Sequence, residues 1–197
     1  MDKKKLIEFE NLVAQIFNKA QIRAPIHLHG GNEDHLIEIF KNIKKVDWVF
    51  SSWRSHYHCL LKGVKKEILM KDIENGKSIT LCYPEEKIYT SAIVGGIVPI
   101  ALGCALGIKR RGGGEEVYLF IGDMTAETGT MSEAYKYAIN KNLPITFIIE
   151  DNSKSVCTNT NNVWGIKDPS LKGKPKVIYY SYDLPWPHAG AGVRVQF

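Results

Sequence analysis

The first half of the chain carries apolar residues at helical spacing. Between residues 3 and 20 they recur every three or four positions, which is the period of a helix with one buried face. The same pattern returns over 32–43, and two further helical stretches follow over 54–61 and 65–74. A short apolar run at 48–51 predicts a strand between them. This half is therefore mainly helical.

In the second half of the chain, short apolar runs alternate with a helical segment. Runs at 116–121 and 144–149 enclose a helical pattern over 126–140, and 176–182 supplies a further strand. Strands that are apolar throughout are typical of a parallel sheet covered on both faces. We therefore expect an α/β fold, with a doubly wound, mostly parallel sheet flanked by helices.

Length and composition fit one soluble domain. The chain has 197 residues, of which 44% are hydrophobic and 24% are charged, as is usual for a globular protein. We expect a single domain over 1–197, with the Pro- and Gly-rich tail over 185–197 on the surface. The four cysteines include no C-x-x-C pair, and the first 17 residues lack the apolar core of a signal peptide. A cytoplasmic protein is the expectation.

Two features of the sequence bear on binding to a membrane or to a nucleic acid. Residues 88–108 contain no charge and are long enough to span a bilayer, but four glycines and a proline favour a buried loop and helix. The net charge is +5, with basic runs at 3–5 and 109–111, and it lacks the dense basic face of a nucleic-acid binder. We expect neither partner, and an anionic small ligand fits the charge better.

Polar side chains follow two of the apolar runs. Asp123 comes after the first run and Asn152 after the second. Ligands of open parallel sheets bind at the carboxyl ends of strands, and oxygen ligands of this kind suit Mg²⁺ bound to a phosphate. The backbone amides of Met124 and Thr125 can face the same phosphate. The alternative is that Asp123 only caps a helix and Asn152 only forms a turn.

The segment "GDMTAETGTMSEAYKYAINKNLPITFIIEDN" resembles the thiamine diphosphate signature, GDG followed by NN, of the alpha subunit of 2-oxo acid dehydrogenase E1 components. The resemblance implies a diphosphate-binding type domain in which Asp123, Asn152 and the backbone carbonyl of Lys154 hold Mg²⁺. Gly122, Met124 and Thr125 would line the diphosphate site. Two positions depart from the signature: Met124 replaces its second glycine, and Asp151 replaces its first asparagine.

Three upstream segments resemble the same family in the same order. They are "APIHLHGGNE", "DWVFSSWRSHYHCLLKG" and "SAIVGGIVPIALGCALGIK". The second implies that Trp53 and Arg54 hold the cofactor diphosphate, for which a guanidinium is suited because it can donate two parallel hydrogen bonds. The third implies that backbone groups of Ala92 and Val94 face the aminopyrimidine ring. The resemblance extends over residues 24–158.

The histidines allow a second interpretation. His27 and His29 form one H-x-H pair, and His56 and His58 form another, so that zinc or a two-metal centre could bind there. No carboxylate or cysteine stands at a spacing that completes a metal motif, and the family resemblance accounts for three of the four. His56 is the candidate catalytic residue, as a proton-transfer or phosphate-contact group, and the alternative is a structural histidine.

The resemblance implies an alpha-type subunit that uses thiamine diphosphate and Mg²⁺ to decarboxylate a small 2-oxo acid and pass the acyl or aldehyde unit to an acceptor. The family's catalytic glutamate lies on the beta subunit, so we expect a beta-type partner in a hetero-oligomer such as a heterotetramer, or a dimer. The family's histidine loop has no match after Asn152. Two alternatives stay open: a split transketolase-like half, and a catalytically silent binding or regulatory paralogue.

Overall fold

A computed structural model of the chain describes residues 1–156, 158–166 and 168–187. The helices are α1 (Lys3–Asn18), α2 (Glu33–Phe40), α3 (His56–Lys62), α4 (Lys66–Glu74), α5 (Ile97–Arg110), α6 (Asp123–Ala126), α7 (Gly129–Asn140) and α8 (Thr160–Trp164). The strands are β1 (Trp48–Ser51), β2 (Cys82–Tyr83), β3 (Ile88–Thr90), β4 (Val117–Gly122), β5 (Ile145–Asp151), β6 (Lys154–Ser155), β7 (Thr158–Asn159) and β8 (Val177–Ser181).

Six of these strands form one sheet in the order β2-β3-β1-β4-β5-β8. All neighbours pair in parallel except β2, which runs antiparallel to β3 at the edge. Strands β6 and β7 form a separate two-stranded antiparallel ribbon. The predicted α/β fold with a mostly parallel sheet is confirmed.

Helices cover both faces of the sheet. Apolar side chains of α1 to α4 pack on one face, together with Phe120 from β4. Those of α5 and α7 pack on the other face, against Leu119 and Ile121 of the same strand. Successive side chains of a strand point to opposite faces, so that an uninterrupted apolar strand such as β4 serves both layers.

Several boundaries differ from the sequence predictions. The first helix ends at Asn18, and Ala20 turns the chain with a positive φ of 57°. The helix predicted over 126–140 begins only at Gly129, because the Thr128 side chain accepts a hydrogen bond from the Met131 amide and caps α7 there, and Ala126 ends the separate helix α6. A capping side chain does not interrupt the spacing of the apolar residues. The sequence pattern therefore did not show where α7 begins.

The uncharged stretch 88–108 begins with a strand, β3, that the sequence analysis missed, and continues as a loop and α5. Within the part of the chain that the structure describes, no helix is both long and apolar enough to cross a membrane. Of the predicted tail, residues 188–197 lie outside the described residues, and the single domain over 1–197 stays a prediction. Trp186 fixes the start of the tail, since its indole N–H donates to the carbonyl of His29 at 2.7 Å.

Candidate functional site

Three neighbouring strands end at the same edge of the sheet and bring the predicted site residues together. Strands β1, β4 and β5 are adjacent and parallel, so their carboxyl ends meet. We call the cavity between them the strand-end pocket. It is lined by Ser52, Trp53, Arg54, Gly122, Asp123, Met124, Thr125, Glu150, Asn152, Lys154, Ser155, Val156 and Tyr182.

Arg54 and Trp53 enter the pocket from the turn between β1 and α3. The guanidinium of Arg54 is half-buried and donates a hydrogen bond to the carbonyl of Leu28. One anchored donor fixes the position of the group and leaves further N–H donors for an anion. The Trp53 ring lies 5.9 Å from the ring of His27, centroid to centroid. The turn therefore presents a positioned positive charge.

Asp123 stands at the end of β4 and is buried. The pKa of this carboxyl is raised to about 6, mainly by burial and to a smaller extent by the charge of Asp151, while the Thr160 hydroxyl and nearby backbone amides oppose the rise. The hydroxyl of Thr160 donates to Oδ2 of Asp123. Burial disfavours the ionised form of this carboxyl, and a bound cation would favour it. This is the usual situation of a carboxylate that binds a metal ion.

The end of β5 presents alternate residues to the pocket. Glu150 and Asn152 line it, whereas Asp151 between them faces an adjacent cavity. There Asp151 accepts hydrogen bonds from the backbone of Ser153 at 2.8 Å and from the Tyr179 hydroxyl. The departure from the family's first asparagine therefore lies outside the strand-end pocket, in a cavity that Asp123 also lines.

The donor set of the pocket fits a magnesium ion and an anionic group. Asp123 offers a carboxylate oxygen and Asn152 an amide oxygen, both hard ligands of the type that Mg²⁺ prefers. The side chains of Arg54 and Lys154 add two positive charges at the same pocket. A Cβ placed on Gly122 would meet no atom within 4 Å, so this part of the wall is open to a ligand.

Ala92 and Val94 lie apart from this pocket. Both belong to the loop between β3 and α5, and Val94 is 53% exposed. Neither residue lines the strand-end pocket. Their expected contact with the aminopyrimidine ring stays a prediction, and it would take place on an exposed face of this chain.

His56 also lies outside the pocket, fully buried at the start of α3. Its Nδ1 lies 3.1 Å from both carboxylate oxygens of Glu10, and its Nε2 lies 2.8 Å from the hydroxyl of Ser78. The order serine, histidine, carboxylate is that of a catalytic relay, but all three side chains are buried and no substrate can reach them. These contacts support the structural alternative for His56.

The sequence analysis did not select several residues that line or support the pocket. Glu150 stands two positions before Asn152, and the two-residue period of a strand was the signal that could have found it. Thr160 and Tyr182 reach the site from later segments, and no local pattern marks them. Contacts of this kind depend on how distant segments pack.

Comparison with known proteins places these observations in a family. The model of the dehydrogenase E1 component family matches residues 1–178. The chain is 31% identical over 161 residues to the alpha subunit of acetoin:2,6-dichlorophenolindophenol oxidoreductase from Cupriavidus necator, covering 77% of this chain and 48% of that protein. It is 29% identical over 181 residues to the pyruvate dehydrogenase E1 component subunit alpha of Rickettsia typhi, covering 86% of this chain and 55% of that protein.

The chain thus spans about half the length of the curated relatives that it matches. The family match covers all four segments on which the resemblance rests and every residue that lines the strand-end pocket except Tyr182. The chain therefore belongs to the dehydrogenase E1 component family, whose thiamine diphosphate signature its motifs resemble.

Proposed function

We propose that the chain is the diphosphate-binding, alpha-type part of a thiamine diphosphate-dependent enzyme that decarboxylates a small 2-oxo acid and passes the acyl or aldehyde unit to an acceptor. The observation that carries this proposal is the convergence of Arg54, Asp123 and Asn152 on the strand-end pocket. Membership in the dehydrogenase E1 component family supports it. Relatives named as E1 alpha subunits support it as well.

In this proposal the strand ends neutralise the charge of the diphosphate. Asp123, Asn152 and the backbone carbonyl of Lys154 would hold Mg²⁺, which would supply positive charge against the diphosphate. Arg54 donates hydrogen bonds to the same phosphates from its anchored position beside Leu28. Trp53, Gly122, Met124 and Thr125 also line the pocket.

When bound, thiamine diphosphate supplies the carbon nucleophile needed to decarboxylate a 2-oxo acid. This chain's residues hold it and exclude water from its phosphates. A beta-type partner chain supplies the catalytic glutamate, and the loop with Ala92 and Val94 lies at the face where that partner docks. The exposure of this loop supports the assignment. We give His56 no proton-transfer role, because both of its ring nitrogens already have partners.

The proposal is tested by calorimetric titration of thiamine diphosphate and magnesium into the chain together with its beta-type partner. Asp123→Asn and Asn152→Ala should each weaken binding at least tenfold. Asp34→Asn, at an exposed position on α2, is the matched control. The proposal is wrong if both site variants bind as tightly as the unmodified protein.

A coupled assay then identifies the reaction. Consumption of a 2-oxo acid by the assembled protein supports the proposed activity. Consumption of a sugar phosphate instead would favour the split transketolase-like half, and cofactor binding without turnover would favour the silent paralogue.

A further inference from the structure

Behind the strand-end pocket lies a buried cluster of two histidines and one glutamate. His29 and His58 are fully buried, and Glu150 is almost so. One ring nitrogen of each histidine and a carboxylate oxygen of the glutamate all lie within 4.8 Å of one another. His58 Nε2 is 3.3 Å from Oε1 of Glu150. We call these three residues the His–His–Glu cluster.

One ring nitrogen of His29 lacks a hydrogen-bond partner among the described residues. Nδ1 of His29 accepts a hydrogen bond from the backbone amide of Tyr57 at 3.3 Å. Its other ring nitrogen, Nε2, is buried without a hydrogen-bond partner among the described residues, as is Oδ1 of the neighbouring Asn32. A buried polar atom of this kind destabilises the folded chain unless something binds it. Because Nδ1 accepts, Nε2 of the neutral ring carries the proton, and a metal ion can bind at Nε2 only when that proton moves to Nδ1, which lies 4.0 Å from Oε1 of Glu10.

Surrounding side chains hold the three groups in orientation. The hydroxyl of Ser51 lies 2.8 Å from Nδ1 of His58, on the opposite side of the ring from Glu150. The Glu150 carboxylate accepts hydrogen bonds from the Tyr180 hydroxyl at 2.6 Å and from the Asn32 amide at 3.2 Å. Supporting hydrogen bonds to the far ring nitrogen and to the carboxylate are what orient ligands in protein metal sites.

We propose that the His–His–Glu cluster binds a divalent transition-metal ion of the zinc type, separate from the magnesium of the strand-end pocket. Two imidazole nitrogens and one carboxylate oxygen form a ligand set that zinc takes in proteins, at about 2.0–2.2 Å from each atom. In the structure these atoms lie within 4.8 Å of one another, so the ligands would approach each other when the ion binds. Magnesium prefers oxygen ligands and is not expected here.

The ion joins three distant parts of the chain. His29 belongs to the loop after α1, His58 to α3 and Glu150 to β5, and His58 and Glu150 are 92 positions apart in the sequence. That distance explains why the H-x-H pairs alone did not reveal the third ligand. Because the cluster is buried, the ion fixes the interior behind the pocket and does not meet a substrate.

The test uses the full chain, stripped of metal with a chelator and then titrated with Zn²⁺ against a chromophoric competitor. Metal content is measured after dialysis, and Co²⁺ is added in a parallel experiment because its visible spectrum reports nitrogen and oxygen coordination. We expect one equivalent of zinc per chain and a higher unfolding temperature. His58→Gln and Glu150→Gln should each lower the zinc affinity at least tenfold, and Glu67→Gln, at an exposed position on α4, should not.

Failure of this proposal is distinguishable from failure of the proposed function. Asp123→Asn should lose magnesium-dependent cofactor binding but keep its zinc. The inference is overturned if the unmodified chain retains no zinc, which would mean that only water fills the cluster, or if His58→Gln and Glu150→Gln both bind zinc as the unmodified chain does. Circular dichroism identifies a variant that has not folded, and the other variant then decides the outcome.

Discussion

The hydroxyl of Thr160 donates a hydrogen bond to Oδ2 of Asp123, and both side chains are buried. This contact connects the start of α8 to the end of β4, two segments that are far apart in the sequence. It satisfies one oxygen of a buried carboxylate that nearby backbone amides also stabilise. The orientation of the candidate magnesium ligand therefore depends on a residue that the motif does not contain.

Replacing Thr160 with valine keeps the shape of the side chain and removes the donor. We expect Thr160→Val to lower the free energy of unfolding by about 1–3 kcal/mol, because a buried carboxylate oxygen loses its partner. Urea unfolding measures the change. Thr160→Ser should recover most of it, and Thr158→Val, at an exposed position in the adjacent ribbon, should have little effect. Equal stability of Thr160→Val and the unmodified protein would contradict the prediction.

Glu10 anchors α1 to the interior. Its carboxylate accepts a hydrogen bond from the backbone amide of His29 at 3.1 Å and contacts Nδ1 of His56 at the same distance. Glu10→Ala leaves both buried groups without a partner, so we expect a loss of about 3 kcal/mol in the free energy of unfolding. Glu8→Ala, exposed on the same helix, is the control. A loss in Glu10→Ala no larger than in Glu8→Ala would show that the buried contacts contribute little.

Arg54→Lys tests whether the guanidinium, and not only its charge, is needed. Lysine is a point charge, and it cannot bind the Leu28 carbonyl and two phosphate oxygens in one planar arrangement. We expect binding of thiamine diphosphate to weaken about tenfold, which corresponds to about 1.4 kcal/mol. Arg110→Lys, at an exposed position, should bind as the unmodified protein does. Unchanged affinity of Arg54→Lys would remove Arg54 from the proposed phosphate contacts.

Stability should fall at alkaline pH partly through Tyr83. Burial raises the pKa of its phenol above the usual range, and the hydrogen bond to Asp72 raises it further. The unfolded chain loses this proton near pH 10 while the folded chain keeps it, so the contribution is present below pH 10 and is lost above it. Between pH 9 and 11 the loss is about 1.4 kcal/mol.

The measurement is the free energy of unfolding in urea across this pH range. Tyr83→Phe should be less stable at pH 9, because the bond to Asp72 is gone, but should lose about 1.4 kcal/mol less on going to pH 11. Tyr89→Phe, on the neighbouring strand and exposed, should keep the slope of the unmodified protein. Equal slopes for Tyr83→Phe and the unmodified protein would be evidence against the burial argument.

The sequence analysis predicted the features that are encoded by patterns within a short stretch of the chain. Asp123 and Asn152 follow strong apolar strands, and parallel strands that neighbour each other must bring their ends together. The short strands β2 and β3 carry too few residues to show a period, and they were missed. The surroundings of His56 were out of reach for another reason, since Glu10 and Ser78 meet it only through the packing of α1 and α4 around α3.

The strand-end pocket also has a consequence for folding kinetics. Its walls come from β1, β4 and β5, and these segments meet only after two long crossover connections have closed. Contacts of such high sequence separation form late, because the entropy of loop closure must be overcome first. A ligand of the finished pocket therefore stabilises the native state without assisting the transition state. Such a ligand should slow unfolding and leave the rate of refolding nearly unchanged.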